Sequence, residues 1–278
     1  MTELRCGRIR YTNDLPVYAA FDAGAIRYPG TLHADVPAKL NALMAAGELD
    51  LGPMSAFAYA RDSDRFVLLP DVCIGARDEV ISVVLASRVP PGLLNGERIA
   101  VSAESASGRN LLRVILERRY GVSATYVEDE DPLRRAREGK PALLIGDAAI
   151  DALFDLASGD VYDLGSLWHD WTGEQTVFAV WVARRAVYER EPEAVRACMH
   201  ALTDAYSWAR GNMHAVVRKA NAQRARPAGF YENYYAKLNF TFHSAAQSGL
   251  AAFFRELHAV GLLDRMPRFV PEVIGVSR

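Results

Sequence analysis

The sequence predicts an α/β fold built as two lobes, with a helical C-terminal section. Three observations carry this. Short β-rich runs alternate with amphipathic helices as far as about residue 185. Several of those runs are unbroken apolar stretches without alternation, the pattern of strands covered by helices on both faces. The chain has 278 residues, half of them apolar and 24% charged, enough to bury one large core or two modest ones.

Strands are expected at Leu4–Ile9, Leu49–Gly52, Phe66–Leu69, Val80–Ser87, Arg98–Ser102, Ala124–Val127, Ala142–Ile145 and Val177–Ala183. Asp35 as a cap, Pro37 in the first turn and Leu40, Leu43 and Met44 on one face predict a helix that ends at Gly47. Ser107 is placed to cap a second helix with the stripe Leu111, Leu112, Ile115 and Leu116. After Pro192 a long helix is expected to about Met213, and Leu250, Phe253, Phe254 and Leu257 mark another near the end. Val89-Pro-Pro-Gly92 breaks any regular element, and arginines interrupt the apolar run after Ala183. Cutting there gives a discontinuous first lobe, 1–88 plus 184–278, and a second lobe, 89–183, joined by two crossover strands.

Composition removes several classes of function. With 32 basic and 34 acidic side chains the formal charge is -2, so no global field draws nucleic acid or an anionic membrane. The N-terminal residues lack an apolar core and read as no signal peptide, which predicts a cytoplasmic protein. Cys6, Cys73 and Cys198 are widely spaced with no CxxC pairing, which fits reduced thiols better than a disulfide framework. The histidines form no HExxH or mixed His/Cys cluster, so a metal enzyme is not expected. The basic runs 134–140 and 218–226 read as solvated helix faces.

Five local segments carry candidate chemistry, each with a structural and a functional reading. In 7–18 (GRIRYTNDLPVY) a strand leads into a turn at Asn13, which either stabilises that turn or faces a ligand beyond the strand's carboxyl end. Ser55 closes a short strand and either caps the next helix or binds. Ser82 is the one hydroxyl in the apolar run 80–86, satisfied by backbone or lining a cleft. Residues 100–110 (AVSAESASGRN) pass through a small-residue turn whose backbone N–H groups and hydroxyls at Ser105, Ala106 and Ser107 suit an anionic oxygen. The GxxxxGK[ST] phosphate pattern is absent there. Asp147 ends LLIGD as a helix cap or a base, and Phe178 fills the core or packs on a ligand ring.

Taken in order, these segments resemble the chorismate dehydratases of the futalosine route to menaquinone, over nearly the whole chain. The residues that carry the resemblance are GRIxYxNxxPVY, PAxLNxxMxxGxLDxGPxS, the strand around Ser82, SxxSASxxNLL and LLIGDAA. Tyr162-Asp-Leu-Gly165, the WHDWTG of Trp168–Gly173 and the VFAVW of Val177–Trp181 complete it. Thr12 and the stretch 174–176 depart from the family pattern, and the second departure bears on how the strand to Phe178 lines the pocket.

The resemblance implies a type 2 periplasmic-binding-protein-like fold with the ligand in a cleft between lobes. It also implies loss of water from chorismate, giving 3-[(1-carboxyvinyl)oxy]benzoate, with aromatisation as driving force and no cofactor. Asn13 and Ser82 are then the catalytic candidates, with Ser55, Ser105, Ala106, Ser107, Asp147 and Phe178 at the substrate. Amides and alcohols do not take protons readily near neutral pH, so the base is either Asp147 or a carboxylate of the substrate. The substrate carboxylate is preferred, because the matched residues are neutral hydrogen bonders. The rival expectations are a cytoplasmic binding protein for a small carboxylate and the sister dihydroxynaphthoate synthase. The expected partner is a small molecule, with neither nucleic acid nor membrane.

Overall fold

The computed structural model describes residues 3–104 and 106–268. In chain order its elements begin with β1 (Arg5–Ile9), α1 (Leu15–Asp22), β2 (Thr31–Asp35), α2 (Pro37–Ala46), β3 (Leu51–Ser55), α3 (Ala56–Asp62) and β4 (Phe66–Ala76). There follow β5 (Val83–Ala86), β6 (Arg98–Val101), α4 (Ala106–Val114), β7 (Thr125–Glu128), α5 (Pro132–Arg137), β8 (Ala142–Ile145), α6 (Gly146–Asp155), β9 (Val161–Asp163) and α7 (Leu164–Thr172). The last are β10 (Thr176–Arg184), α8 (Arg185–Arg190), α9 (Pro192–Gly211), α10 (Met213–Gln223), α11 (Phe230–Lys237), β11 (Leu238–Phe242) and α12 (Ser244–Ala259).

The strands form a six-stranded sheet, β11-β4-β10-β3-β1-β2, and a five-stranded sheet, β7-β6-β8-β5-β9. In the first, β1 runs parallel to β2 and β3, while β10 pairs antiparallel to β3. In the second, β6 runs parallel to β7 and β8, while β5 is antiparallel to β8 and β9. The apolar runs became strands because both faces are covered: β3 and β5 are buried at every residue. Pro37 opens α2, as expected. Its N-cap, however, is Val36, and Asp35 instead ends β2, with its carboxylate accepting from the Val36 N–H. Gly47 closes the helix at φ 80, a left-handed conformation that glycine takes without strain.

Two compact units result. One holds the described residues up to Ile74, Ala179–His243 and Pro267 with Arg268; the other holds Gly75–Phe178 and Ser244–Met266. The chain therefore changes unit inside β4 and inside β10, not at the sequence cuts after residues 88 and 183. The Pro-Pro-Gly break is a surface turn within the second unit, where Leu93 is 69% exposed. The α12 helix also lies with the second unit, where the sequence division placed it in the first lobe. Gly249 explains this, since a Cβ there would be driven into the carbonyl oxygen of Gln175, and Phe253 sets its ring edge-on to Trp168.

Within the first unit α9 packs on α1, and its buried face carries Val195, Cys198, Met199 and Leu202 at helical spacing. Cys6 and Cys198 are buried free thiols with sulfurs 4.0 Å apart. Arg5 and Arg184 both bond Asp50, tying the lead-in to β3 to β1 and β10. Burial opposes ionisation of Asp50, but those bonds prevail and lower its pKa to about 2. In the second unit α5 and α6 pack on β5 and β8 through Leu133, Ala136, Ala149 and Ala152. No described helix is long and apolar enough to cross a membrane.

Candidate active site

On the first unit, Asn13 and Ser55 sit at the same edge of the sheet. Cys6 stands opposite Leu51 in the parallel pair, so the segments that leave β1 and β3 emerge together at the strands' carboxyl ends. Asn13 lies in a 3-10 turn, Thr12–Asp14, that is pinned on both sides of it. The Tyr235 hydroxyl of α11 donates to the Thr12 carbonyl at 2.9 Å, and the Asp14 carboxyl accepts from the Ile9 N–H at 2.9 Å. The Asn13 amide oxygen is itself buried and meets no hydrogen-bond partner. Its neighbours hold the turn, so this oxygen does not stabilise it; a buried acceptor left open in this way is what a ligand donor would satisfy.

Asp14 is an unusual support. Burial pushes its pKa up to about 8, against the pull of Arg8 and of the Ile9 hydrogen bond. A carboxyl whose pKa is raised on folding stabilises fully only below its unfolded value, and that stability is lost as pH rises through the folded value. Asp14→Asn keeps an amide oxygen for Ile9 and removes the titration. It is expected to raise Tm near pH 8, with a gain that shrinks on acidification and vanishes by about pH 4, at up to about 1.4 kcal/mol per pH unit. Thermal melts of both proteins across that range check it; a pH-independent difference refutes it.

Ser55 is the N-cap of α3. Its hydroxyl accepts from the Ala58 N–H at 3.2 Å and from the Asn41 amide at 3.3 Å, while Asn41 Oδ1 accepts from the Ser55 N–H at 3.1 Å. Asn41, the asparagine of PAxLN, thus fixes Ser55, a role that the sequence pattern alone did not reveal.

On the second unit, Ser82 and Asp147 share one sheet edge. Val83 pairs with Ile145, which sets Ser82 beside Gly146, and the Gly146 N–H donates to the Ser82 carbonyl at 2.8 Å. Ser82 is buried, and its hydroxyl makes one long bond to the Val80 carbonyl at 3.4 Å, weak enough to yield to a better acceptor. The regular strand here is only Val83–Ala86, so Ser82 belongs to the loop that feeds it, not to the strand interior. Asp147 is not a cap: Ile145 is the N-cap of α6, and Asp147 stands in the first turn, where a carboxylate meets the positive end of the helix dipole.

Ser107 likewise is not a cap. It lies inside α4, directly after Ala106, and donates to the Phe178 carbonyl at 3.0 Å. Asn110 donates back to the Ala106 carbonyl at 2.8 Å, bracing the same turn. Ser105 lies outside the described residues. Phe178 is half-buried and, with Ser107, Leu111, Trp168 and Phe253, lines a void of about 10 Å³, room for a single water and none for a ring.

A family model described as menaquinone biosynthesis matches residues 4–259. This chain belongs to the menaquinone-biosynthesis family. A chorismate dehydratase from Thermus thermophilus is 31% identical over 283 residues, spanning 96% of this chain and 98% of that protein. The family relationship places the chain among the enzymes, in the dehydratase class of carbon–oxygen lyases. Among solved structures, the alkanesulfonate-binding protein SsuA from Xanthomonas axonopodis is 16% identical with a TM-score of 0.69, over 98% of each chain. The aliphatic sulphonate-binding protein SsuA from Escherichia coli is 16% identical with a TM-score of 0.66, over 99% of this chain and 92% of that one. Protein AF1704 from Archaeoglobus fulgidus is 18% identical with a TM-score of 0.61, over 94% and 98%. Those likenesses establish the periplasmic-binding-protein-like fold, and the menaquinone-biosynthesis family supplies the functional frame.

Proposed function

We propose that this chain removes water from chorismate to give 3-[(1-carboxyvinyl)oxy]benzoate, as a cytoplasmic step toward menaquinone. The observation that carries the reading is the 31% identity to a chorismate dehydratase over almost all of both chains. The open acceptor of Asn13 and the weakly engaged hydroxyl of Ser82 support it at the level of residues.

In this reading the C–H bond at ring carbon 3 breaks, its electron pair forms the new ring double bond, and the hydroxyl on carbon 4 departs with the pair of its C–O bond. The proton and the hydroxide leave as water, and the ring becomes aromatic. Asn13 takes the hydroxyl of carbon 4, its oxygen accepting the hydroxyl hydrogen and its amide group holding the oxygen as charge develops. Ser82 donates to a substrate carboxylate. Ser55 and the Ala106–Ser107 start of α4 bind carboxylate, the latter at the positive end of the helix dipole. Phe178 contributes through its carbonyl, which holds the Ser107 hydroxyl at the start of α4.

The base is one of the substrate's own carboxylates. A carboxylate is a weak base, but intramolecular placement contributes about 7–11 kcal/mol. Asp147, held in the first turn of α6, binds without taking the proton.

Purified protein mixed with chorismate is expected to form the enolpyruvyl-oxybenzoate, seen by chromatography as a product lighter by one water. Asp147→Asn is expected to keep kcat within about tenfold, as a group outside proton transfer should. Binding without turnover would refute the reading in favour of a binding protein. Loss of turnover in Asp147→Asn with chorismate binding intact would move the base to the side chain.

A further inference from the structure

Ser82 is delivered by a loop with one strained residue. Ile81 sits at φ 64, where a β-branched side chain is a genuine outlier. The Ser82 N–H donates to the Val80 carbonyl at 2.7 Å, closing a three-residue γ-turn of positive φ about Ile81, a rare and strained form. Glycine would take that φ without cost, yet the sequence places isoleucine there, so something outside the turn imposes it.

The restraint is Asp163. It ends β9 and caps α7, and its carboxylate gathers the N–H groups of the loop: Ile81 to Oδ2 at 2.6 Å and Val80 to both oxygens at 3.1 Å. Oδ1 also accepts from the Ser166 N–H of the helix itself at 3.0 Å. Gly165 permits the approach, because a Cβ there would be driven into the Asp78 carbonyl and would stand 3.1 Å from the Val80 nitrogen. The Asp-Leu-Gly of Tyr162–Gly165 is therefore one device, an acceptor for the loop and a bare backbone on which the loop lies. From the other side, Gly146 holds the Ser82 carbonyl. Desolvation of the Asp163 carboxylate raises its pKa to about 6; its three backbone donors pull the other way, and the charge of Glu79 adds to the rise.

We infer that Asp163 is a positioning residue for catalysis: by holding the strained turn at Ile81 it fixes where the Ser82 hydroxyl points. The inference rests on the reading of Ser82 as a residue that touches chorismate. Asparagine at 163 offers one acceptor oxygen and sets an NH2 against backbone N–H groups, so the turn relaxes and the hydroxyl shifts.

The test compares wild type, Ser82→Ala, Asp163→Asn and the double variant Asp163→Asn/Ile81→Gly. Each is measured for kcat and KM on chorismate and for backbone amide exchange over residues 77–86. Asp163→Asn is expected to speed exchange at Val80–Ser82 about tenfold or more and to lower kcat about 10- to 100-fold with KM within about threefold, the scale of a misplacement near 1 Å. Glycine at 81 removes the strain, so the double variant is expected to recover most of kcat, which a merely structural role for Asp163 would not produce. A folded double variant with no recovered kcat overturns the inference. A folded Asp163→Asn with kcat within about threefold of wild type, or with unchanged exchange, overturns it as well. If Ser82→Ala keeps full kcat, or wild type leaves chorismate unchanged, the reading of Ser82 has failed and catalytic positioning fails with it. The exchange data then still report separately whether Asp163 holds the turn.

Discussion

Asn13→Ala is expected to lower kcat on chorismate by about 100- to 1000-fold, the range found when one preorganised donor to a developing oxyanion is removed. Stability should barely change. Asp14 and Tyr235 fix the turn on either side, and the Asn13 oxygen has no partner in the protein to lose. Replacing a buried, unpaired polar group by a methyl removes a desolvation cost, so Tm is expected to hold steady or rise slightly. Asn13→Asp should be at least as damaging to kcat, because it sets a charge beside the dianion and beside buried Asp14. Steady-state kinetics with melting curves for each variant decide the matter. A kcat within about threefold of wild type in Asn13→Ala would take Asn13 out of the chemistry.

The strands that sequence reading found, such as β8 and β10, announce themselves through local apolar runs that are covered on both faces. The ones it missed carry no such signal. β2 is half-exposed along its length, β9 spans three residues, and β11 stands among helices, where Leu238–Phe242 reads as more helix. The unit boundary was hidden for a related reason: composition marks flexible linkers, and here the chain changes unit inside regular strands. Ser55 caps α3 as one reading of it had it, whereas the other caps lie elsewhere than the sequence placed them. Asp35, Ser107 and Asp147 all stand near helix starts, but Asp35 accepts from the next residue's N–H and Ser107 donates to distant backbone, the Phe178 carbonyl.

The candidate site divides in the same way. Asn13, Ser55 and Ser82 stand in recognisable strand–turn settings, and the resemblance drew attention to them. Their supports did not show. Asn41 reaches Ser55 across 14 positions, Tyr235 reaches Thr12 across 223, and Asp163 reaches Ile81 across 82. Such pairs are made by the fold, and only the presence of YDLG among the matched segments hinted that one of them mattered.

Trp168→Ala is expected to cost about 3–5 kcal/mol, as large-to-small changes at fully buried aromatics do. Trp168 has no exposed surface, and its ring lies edge-on both to Trp171, centroids 5.7 Å apart, and to Phe253, 6.2 Å apart. Truncation therefore opens a cavity where α7 meets α12, next to the small void that Ser107 and Phe178 already border. At about 2–4 °C per kcal/mol for a chain of this size, Tm should fall by roughly 10 °C. Trp168→Phe separates packing from polarity. The indole N–H is buried without a partner, so phenylalanine loses ring volume but also removes an unsatisfied donor, and the two effects oppose each other. Its loss of Tm should therefore be less than half that of the alanine variant. Equal losses in the two variants would mean that the indole nitrogen does bond in solution, for instance to a water in the void. The enlarged cavity also bears on function, since the Ser107–Phe178 hydrogen bond loses the wall behind it and KM for chorismate should rise in Trp168→Ala before kcat falls.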